Sequence, residues 1–353
     1  MILHITHNYP ENKEDISGIF IKRLAETVPL KRHIISISST PVKNSSEITW
    51  IYAKGVKGKL FSFNGLFKLL NIIKKIYAKA LRFTLIHNVC VIHAHWWFPS
   101  GLIALLISKK TNVPYIISIH GSDTKLLFFP LSILANLVFK NARMLIPVSK
   151  TLKERITYKN TEIIPMPISK AFFSIKNTSS EKSFLVVSRC TAQKRIHVII
   201  KAFKSLKNYK LTIAGEGPLR KSLEILSRRE KINVNFLGNV APHKIPELMS
   251  KNKYLIHAGV NEGFGLSVVE AIAAGQIPIV VKSGAIPWIV GEDYPLLFEK
   301  DDIASLNQLL RNIIDNKIDI KKIKEKLNKK VGRFRPQNIS KKFISLYNNF
   351  QCT

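Results

Sequence analysis

The chain has 353 residues, 46% of them hydrophobic, which suits about two packed domains and excludes a disordered protein. Fifty-five Lys and Arg against 23 Asp and Glu leave a formal charge of +32, a field that favours phosphate-bearing substrates, an anionic membrane or nucleic acid. Cys90, Cys190 and Cys352 lie far apart with no C-x-x-C pair, which argues against a disulfide framework or thiolate metal site and fits a reducing cytoplasm.

In chain order, Ile2 to Thr6 reads as a strand, followed by a turn-rich loop and a helix from Ile19 to Leu30. Ser17 and Gly18 stand at the helix start, as a plain N-cap or as a ligand loop. The N-terminus has no basic run followed by an apolar core, so no signal peptide is expected. Strands follow at His33 to Ser38 and Ile48 to Tyr52. Asn64 to Phe83 has helical periodicity, with Leu66, Leu69, Leu70, Ile73, Tyr77 and Leu81 on one face and Lys68, Lys74, Lys75, Lys79 and Arg82 elsewhere. Lys57, Lys59, Phe61 and Phe63 lead into it. It is either a core-packed helix with a solvated basic face or a membrane-surface helix. No acidic residue occurs between Glu47 and Asp123.

Val89 to His95 is a strand that places His93 and His95 on one face. Without a carboxylate partner they read as structural rather than as metal ligands. A strand leads into His120, whose imidazole can donate to a sugar hydroxyl or to developing charge, and Asp123 caps the next turn. Leu126 to Phe139, the longest apolar stretch, is short of the ~20 residues a spanning helix needs and reads as buried or interfacial. Leu145 to Val148 is a strand, and Ser149 caps the helix after it. The prolines of Ile163 to Ile168 and the polar run Ser174 to Ser183 mark a linker.

The second half opens with a strand, Phe184 to Ser188, then Arg189 and Lys194 in the loop after it, a fork and a mobile point charge suited to a diphosphate. Leu211 to Ala214 with Gly215 to Pro218 is a strand and turn on the same phosphate side. Val234 to Gly238 is a strand followed by Asn239 and Val240. Tyr254 to Val281 is the most informative stretch: strand, a loop with Gly259, Gly263 and Gly265, a helix from Leu266 to Ala274, and a strand, a βαβ unit. Glycine lets backbone approach a ligand, and the helix start offers unpaired N–H groups to an anion. Glu262 precedes the helix and Glu270 sits one turn inside it, where an acid can accept from sugar hydroxyls. Alone, either is no more than a complement to the helix dipole. Ile318 to Arg335 is strongly basic, and Pro336 to Phe350 reads as a final helix.

The E-x7-E spacing of Glu262 and Glu270, with EGFG in front and EAIAAG behind, resembles the nucleotide-sugar-dependent retaining glycosyltransferases of the GT-B fold, family 4-like or group 1. HAHWWFPSGLIA, SIHGSD and the Arg189–Lys194 loop extend the resemblance along nearly the whole chain. Ser17-Gly18 replaces the family's Gly-Gly, Met166-Pro167 its Asn-Gly, and Trp288 a frequent Glu, while both cations survive without their flanking glycines. The resemblance implies two Rossmann-like domains facing across a cleft, residues 1–168 for the acceptor and 169–336 for the donor, with 337–353 rejoining the first. It implies retaining transfer from a UDP- or GDP-sugar to an acceptor hydroxyl in polysaccharide, lipopolysaccharide or glycolipid synthesis, at the inner face of the membrane. His120 and Glu262 would act at the reaction centre. Ser17, Gly18, Arg189, Lys194, Gly263, Phe264, Gly265, Leu266 and Glu270 would bind the donor, with Asn239 and Val240 beside the nucleobase. No cofactor or metal is expected, since no Asp-x-Asp motif is present. Rival readings are an epimerase of the same fold, a non-catalytic partner subunit and a nucleic-acid binder; the last lacks any recognised motif.

Overall fold

A strand that must rejoin its sheet in parallel needs a crossover of a dozen or more residues, so apolar strands alternating with helices dictate doubly wound sheets. The computed structural model describes residues 1–54, 66–206 and 208–352. The chain divides into two compact units, Met1–Pro167 with Gln337–Thr353, and Ile168–Pro336.

The first unit runs β1 (Ile2–Ile5), α1 (Ile19–Thr27), β2 (Arg32–Ser38), β3 (Ile48–Tyr52), α2 (Leu66–Ile86), β4 (Val91–His95), α3 (Leu102–Thr111), β5 (Tyr115–Ile119), α4 (Leu131–Asn141), β6 (Met144–Pro147) and α5 (Lys150–Glu154). The second runs α6 (Lys170–Ser174), β7 (Ser180–Val187), α7 (Ile196–Ala202), β8 (Lys210–Ala214), α8 (Arg220–Arg229), β9 (Val234–Gly238), α9 (Ile245–Ser250), β10 (Asn252–His257), α10 (Leu266–Ala273), β11 (Ile277–Val281), α11 (Ile286–Val290), β12 (Leu297–Phe298), α12 (Ile303–Ile314) and α13 (Ile320–Val331). A last helix, α14 (Pro336–Asn348), returns to the first unit.

The strand orders are β3-β2-β1-β4-β5-β6 and β12-β11-β10-β7-β8-β9, every pair parallel. Counted within its own unit, the second order is the first one again. Winding reverses between β1 and β4, and between β7 and β10, and ligands of such sheets bind at strand C-termini beside the reversal.

One face of the first sheet packs Ile35, Ile37, Ile92, Ala94, Ile117 and Ile119 against α2, α3 and α4. Its other face carries a buried polar row that includes His4, Ser36, His93, His95 and Ser118. Phe343 and Tyr347 of α14 cover part of it, each packed on His93. Ser149 caps α5, its Oγ accepting from Leu152 N.

Four expectations need correcting. Cys90 and Cys352 form a disulfide across a sequence separation of 262 residues, with Cα atoms 5.6 Å apart. The return of α14 to the first unit creates this proximity, which spacing in the sequence cannot show. In α2, Leu69, Ile72, Ile76 and Ala80 are buried, whereas Leu70 is 48% exposed. The apolar arc is wider than the contact, and the helix settles about one position round, where the small Ala80 allows close approach. β7 starts at Ser180, inside the polar run read as linker, because Ser180 pairs with Asn252 of β10. The apolar stretch before Phe139 holds two structures, a 3-10 turn at Ser122–Leu126 and α4, separated by a segment that ends at Pro130. Lys57, Lys59, Phe61, Phe63 and Asn64 lie outside the described residues.

Phe343 is fully buried, so Phe343→Ala should cost roughly 3–5 kcal/mol. The urea midpoint of the full chain reads this out, and a loss under about 1 kcal/mol would mean that α14 is not part of the core.

Candidate active site

In the second unit β7 hands the chain to the loop carrying Arg189 and Lys194, and β10 leads through Gly259, Glu262 and Gly265 into α10. These strands are neighbours at the reversal, so their loops lie together. A reciprocal pair of bonds ties them: Val260 N donates to Gln193 O at 3.1 Å, and Gln193 Nε2 donates to Val260 O at 3.1 Å. Lys194 Nζ forms an ion pair with Glu262 Oε1, with side chains only 18% and 14% exposed.

Burial alone would push the Glu262 carboxyl up. The Lys194 ammonium, with His257 and Arg189, outweighs it and holds Glu262 below the usual carboxylate range. His257 Nε2 is buried without a hydrogen-bond partner, 3.7 Å from the same carboxylate oxygen. Burial takes this imidazole down to about 4, so it is neutral at physiological pH. Sequence reasoning missed His257, whose one signal is its place at the end of β10.

The backbone of Glu262 is seated from below. Ala285 N donates to Glu262 O at 3.0 Å. Gly284 has φ +61°, and a Cβ there would stand 2.6 Å from both Glu262 N and Glu262 O, so glycine alone fits. Glycine at the α10 N-cap, Gly265, offers no side-chain cap, which leaves the first N–H groups of the helix to solvent or a ligand. Gly263 and Leu266 are half-buried beside it. Phe264 instead packs its ring on Phe334, centroids 5.6 Å apart, so only its backbone faces the loop. Glu270 is buried one turn along α10. Arg189 is exposed, and its loop is braced by the Gly215–Pro218 turn, Cys190 N donating to Glu216 O at 2.8 Å. Asn239 and Val240 follow β9, the edge strand two places from β7.

Ser17, Gly18 and His120 belong to the first unit. Gly18, in left-handed conformation, is the N-cap of α1 without a side-chain bond, so the reading of Ser17 as cap is corrected. A Cβ on Gly18 would fall 2.0 Å from Asn8 O, the contact that forces the conformation. Phe20, two residues on, packs on His120 with ring centroids 4.8 Å apart. Asp123 does more than cap a turn. Its buried carboxylate accepts from the N–H groups of His120 at 2.6 Å, Gly121 at 3.1 Å and Trp97 at 3.2 Å. Burial nevertheless pushes it up to about 6.

Behind His120 lies the polar row. His93 Nδ1 meets Tyr347 Oη at 2.6 Å and its Nε2 meets Ser118 Oγ at 2.7 Å. His4 Nδ1 meets His95 Nε2 at 3.1 Å, and His95 Nδ1 meets His120 Nε2 at 3.2 Å. Among the described residues His4, His93 and His95 are the group with metal-ligand potential, their ligand atoms lying within 4.8 Å of one another. Both nitrogens of His93 and of His95 are already hydrogen-bonded within the protein, so the chemistry of the set fits a network better than a cation.

Two parallel doubly wound sheets of one order, with a paired glutamate and two cations at the second reversal, define an enzyme class that handles phosphorylated sugars. Residues 168–331 match the family model of glycosyl transferases group 1, and residues 31–169 that of glycosyltransferase family 4. The chain belongs to this family of GT-B glycosyltransferases. An uncharacterised glycosyltransferase of Methanocaldococcus jannaschii is 28% identical over 265 residues, 72% of each chain. The alpha-monoglucosyldiacylglycerol synthase of Acholeplasma laidlawii is 26% identical over 256 residues, 61% of this chain and 63% of its own length. Among solved structures, Anabaena HepE in complex with UDP superposes with a TM-score of 0.78 over 99% of both chains, at 15% identity, a likeness of fold.

The buried histidines set an acid limit. His4 and His120 are held at about 3 and His7 at about 4, chiefly by burial. The unfolded chain binds their protons below about pH 6.5 while the folded chain does not. Each therefore takes about 1.4 kcal/mol of stability per pH unit as the pH falls from 6.5. Asp123 acts in the opposite sense between 3.8 and about 6, and it is outnumbered. The urea midpoint should be level above pH 6.5 and drop steeply below it; a flat profile down to pH 5 would show that these imidazoles are not buried neutral.

Proposed function

We propose that this chain transfers a sugar from a nucleotide-sugar, UDP- or GDP-linked, to a hydroxyl of a lipid-linked acceptor, with retention and without a metal. The observation that carries the reading is the Lys194–Glu262 pair beside Arg189 at the β7/β10 reversal. Departure of a nucleoside diphosphate builds negative charge that must be met by positive groups. Arg189 supplies a fork and Lys194 a point charge. An ammonium has three donors, so Lys194 keeps Glu262 and still reaches a phosphate. The N–H groups from Gly263 to Leu266 add the positive end of α10. In this reading Glu262 holds the donor sugar, Glu270 the ribose, and Asn239 and Val240 flank the base through backbone. Ser17, Gly18 and His120 serve the phosphates and the reacting hydroxyl. With Glu262 engaged by Lys194, attack on the departing face through a short-lived ion pair is favoured over a covalent intermediate. HepE, similar in fold, has been solved with UDP bound, which accords with such a donor.

Arg189→Ala with Lys194→Ala should abolish transfer and weaken donor binding by about 1.5–3 kcal/mol for each charge-assisted hydrogen bond removed, while wild-type turnover persists in EDTA. Unchanged donor affinity, or activity that vanishes with chelator and returns with Mn²⁺, would sink this mechanism. Conversion of the donor without any acceptor would instead identify an epimerase.

The choice of acceptor rests on one layer of the first unit. Among the described residues no helix is long and apolar enough to cross a membrane. Yet α2, α3 and α4 lie on one sheet face and expose Leu70, Leu85, Ile86, Leu106, Ile133 and Leu137, with Phe128 and Phe129 ahead of α4. Lys68, Lys74, Lys75, Lys79, Arg82, Lys109, Lys110 and Lys140 are exposed among them. From Ile48 to Lys153 the one acidic residue is Asp123, which is buried. Apolar side chains in a basic, acid-free field suit an anionic bilayer surface. The Acholeplasma relative, an alpha-monoglucosyldiacylglycerol synthase, accords with a lipid acceptor. Basic residues near such a surface contribute about 1 kcal/mol each. Nuclease-treated protein should sediment with anionic but not neutral vesicles, salt should release it, and Lys68, Lys74, Lys75 and Lys79 all changed to Gln should weaken sedimentation without altering donor affinity. Equal behaviour with both vesicle types would make a soluble acceptor the better reading.

A further inference from the structure

Three imidazoles cross the first sheet in one hydrogen-bonded line. His4 comes from β1, His95 from the neighbouring β4, and His120 from the end of β5, which pairs with β4. The rings are nearly parallel, 12° between His4 and His95 and 22° between His95 and His120, with centroids 5.4 Å apart in both pairs. His4 and His95 are at most 2% exposed. His120 is only half-buried, and Nε2 is the nitrogen that meets His95.

A neutral imidazole carries one N–H and one lone pair. Each link therefore needs a proton on one side and none on the other. His95 has both nitrogens engaged, so the two links must run in the same direction. The line has two states: protons point toward His120, whose Nδ1 then carries N–H, or toward His4, whose Nδ1 then accepts. Side-chain dipoles orient in the protein field. Arg32 on β2 stands on the same sheet face, opposite Ile2 and one alternate position from His4. Its ion-pair partner Glu47, 3.6 Å away, is 61% exposed and screened by water. A cation at the His4 end draws lone pairs toward itself and turns the N–H groups toward His120.

We propose that His4 and His95 are positioning residues that lock His120 in the tautomer with the proton on Nδ1, so that it meets the substrate as a hydrogen-bond donor. The proposal rests on His120 facing the reacting hydroxyls, as read above. No proton leaves the line during the reaction; the two inner rings decide which nitrogen of the outer one carries its proton. Trp96 and Phe20 hold the His120 ring at centroid distances of 4.7 and 4.8 Å, so its orientation does not depend on the relay, whereas its tautomer does.

The ¹⁵N signals of the histidine rings read the tautomer directly, with His120 assigned from the His120→Asn spectrum. The wild-type protein should show His120 as a single Nδ1–H form. His4→Phe, and separately Arg32→Gln, should move those signals toward an Nε2–H form or a mixture. In both variants kcat should fall with donor KM unchanged, by about twofold for an even mixture and toward ~10²–10³-fold for complete loss of one oriented donor. Nε2–H in the wild-type His120, or signals and kcat unmoved in Arg32→Gln, would overturn the relay. The wild-type spectrum decides the matter even where His4→Phe does not fold. Full activity in His120→Ala would instead remove the role of His120 while leaving its tautomer as measured.

Discussion

The Lys194–Glu262 ion pair is the interaction on which the second unit's loops depend. A carboxylate 14% exposed stays charged only with a cation close by, since desolvation of a lone charge costs more than a loop can return. The pair also joins the β7 loop to the β10 loop, which Gln193 and Val260 do again through backbone. Gly284 and Ala285 then fix the Glu262 backbone from the β11 side. Three adjacent strands thus converge on one carboxylate. That convergence is a consequence of parallel winding, which brings every βα loop to the same edge.

The fold class was legible because each strand is a short apolar run and each crossover has its own period. The βαβ stretch around Glu262 was legible for a further reason: its glycines and acids are local in sequence. What escaped was non-local. Cys90 and Cys352 meet because α14 comes back, and no spacing rule covers 262 residues. His4 joins His95 through a register that only the sheet order sets. His257 ends its strand without a motif around it. Ser17 looked like a helix cap, yet the contact of Gly18 with Asn8 O moved the cap one residue on. The face of α2 was misjudged by about one position because several apolar choices were equally good by periodicity alone.

The disulfide also bears on what the composition implied. Widely spaced cysteines fit a reducing compartment, but a Cys90–Cys352 bond is a feature of proteins that meet oxidising conditions. It pins the end of the chain beside β4, the strand that supplies His93 and His95. Tyr347 of the same terminal segment bonds His93 at 2.6 Å. The C-terminal segment therefore braces the polar row from above, through one covalent link and one hydrogen bond.

The two units use burial in opposite ways. Around Glu262, burial is overcome: cations keep the acid ionised, and a charged, oriented group results. Around His120, burial prevails: His4, His7, His93, His95 and His120 are all driven toward the neutral form, and each also disfavours charge on a neighbour. A field of +32 would ordinarily make any further positive group costly, and neutral imidazoles add none. The net positive charge is thus left to lysines and arginines at the surface, where it draws anions, while the first unit's interior works with dipoles. A donor that is uncharged yet oriented suits a reacting sugar hydroxyl, which would otherwise compete with phosphate for a fixed cation. Separating the two kinds of group, charged at the β7/β10 reversal and neutral at the β1/β4 reversal, lets each be tuned without disturbing the other.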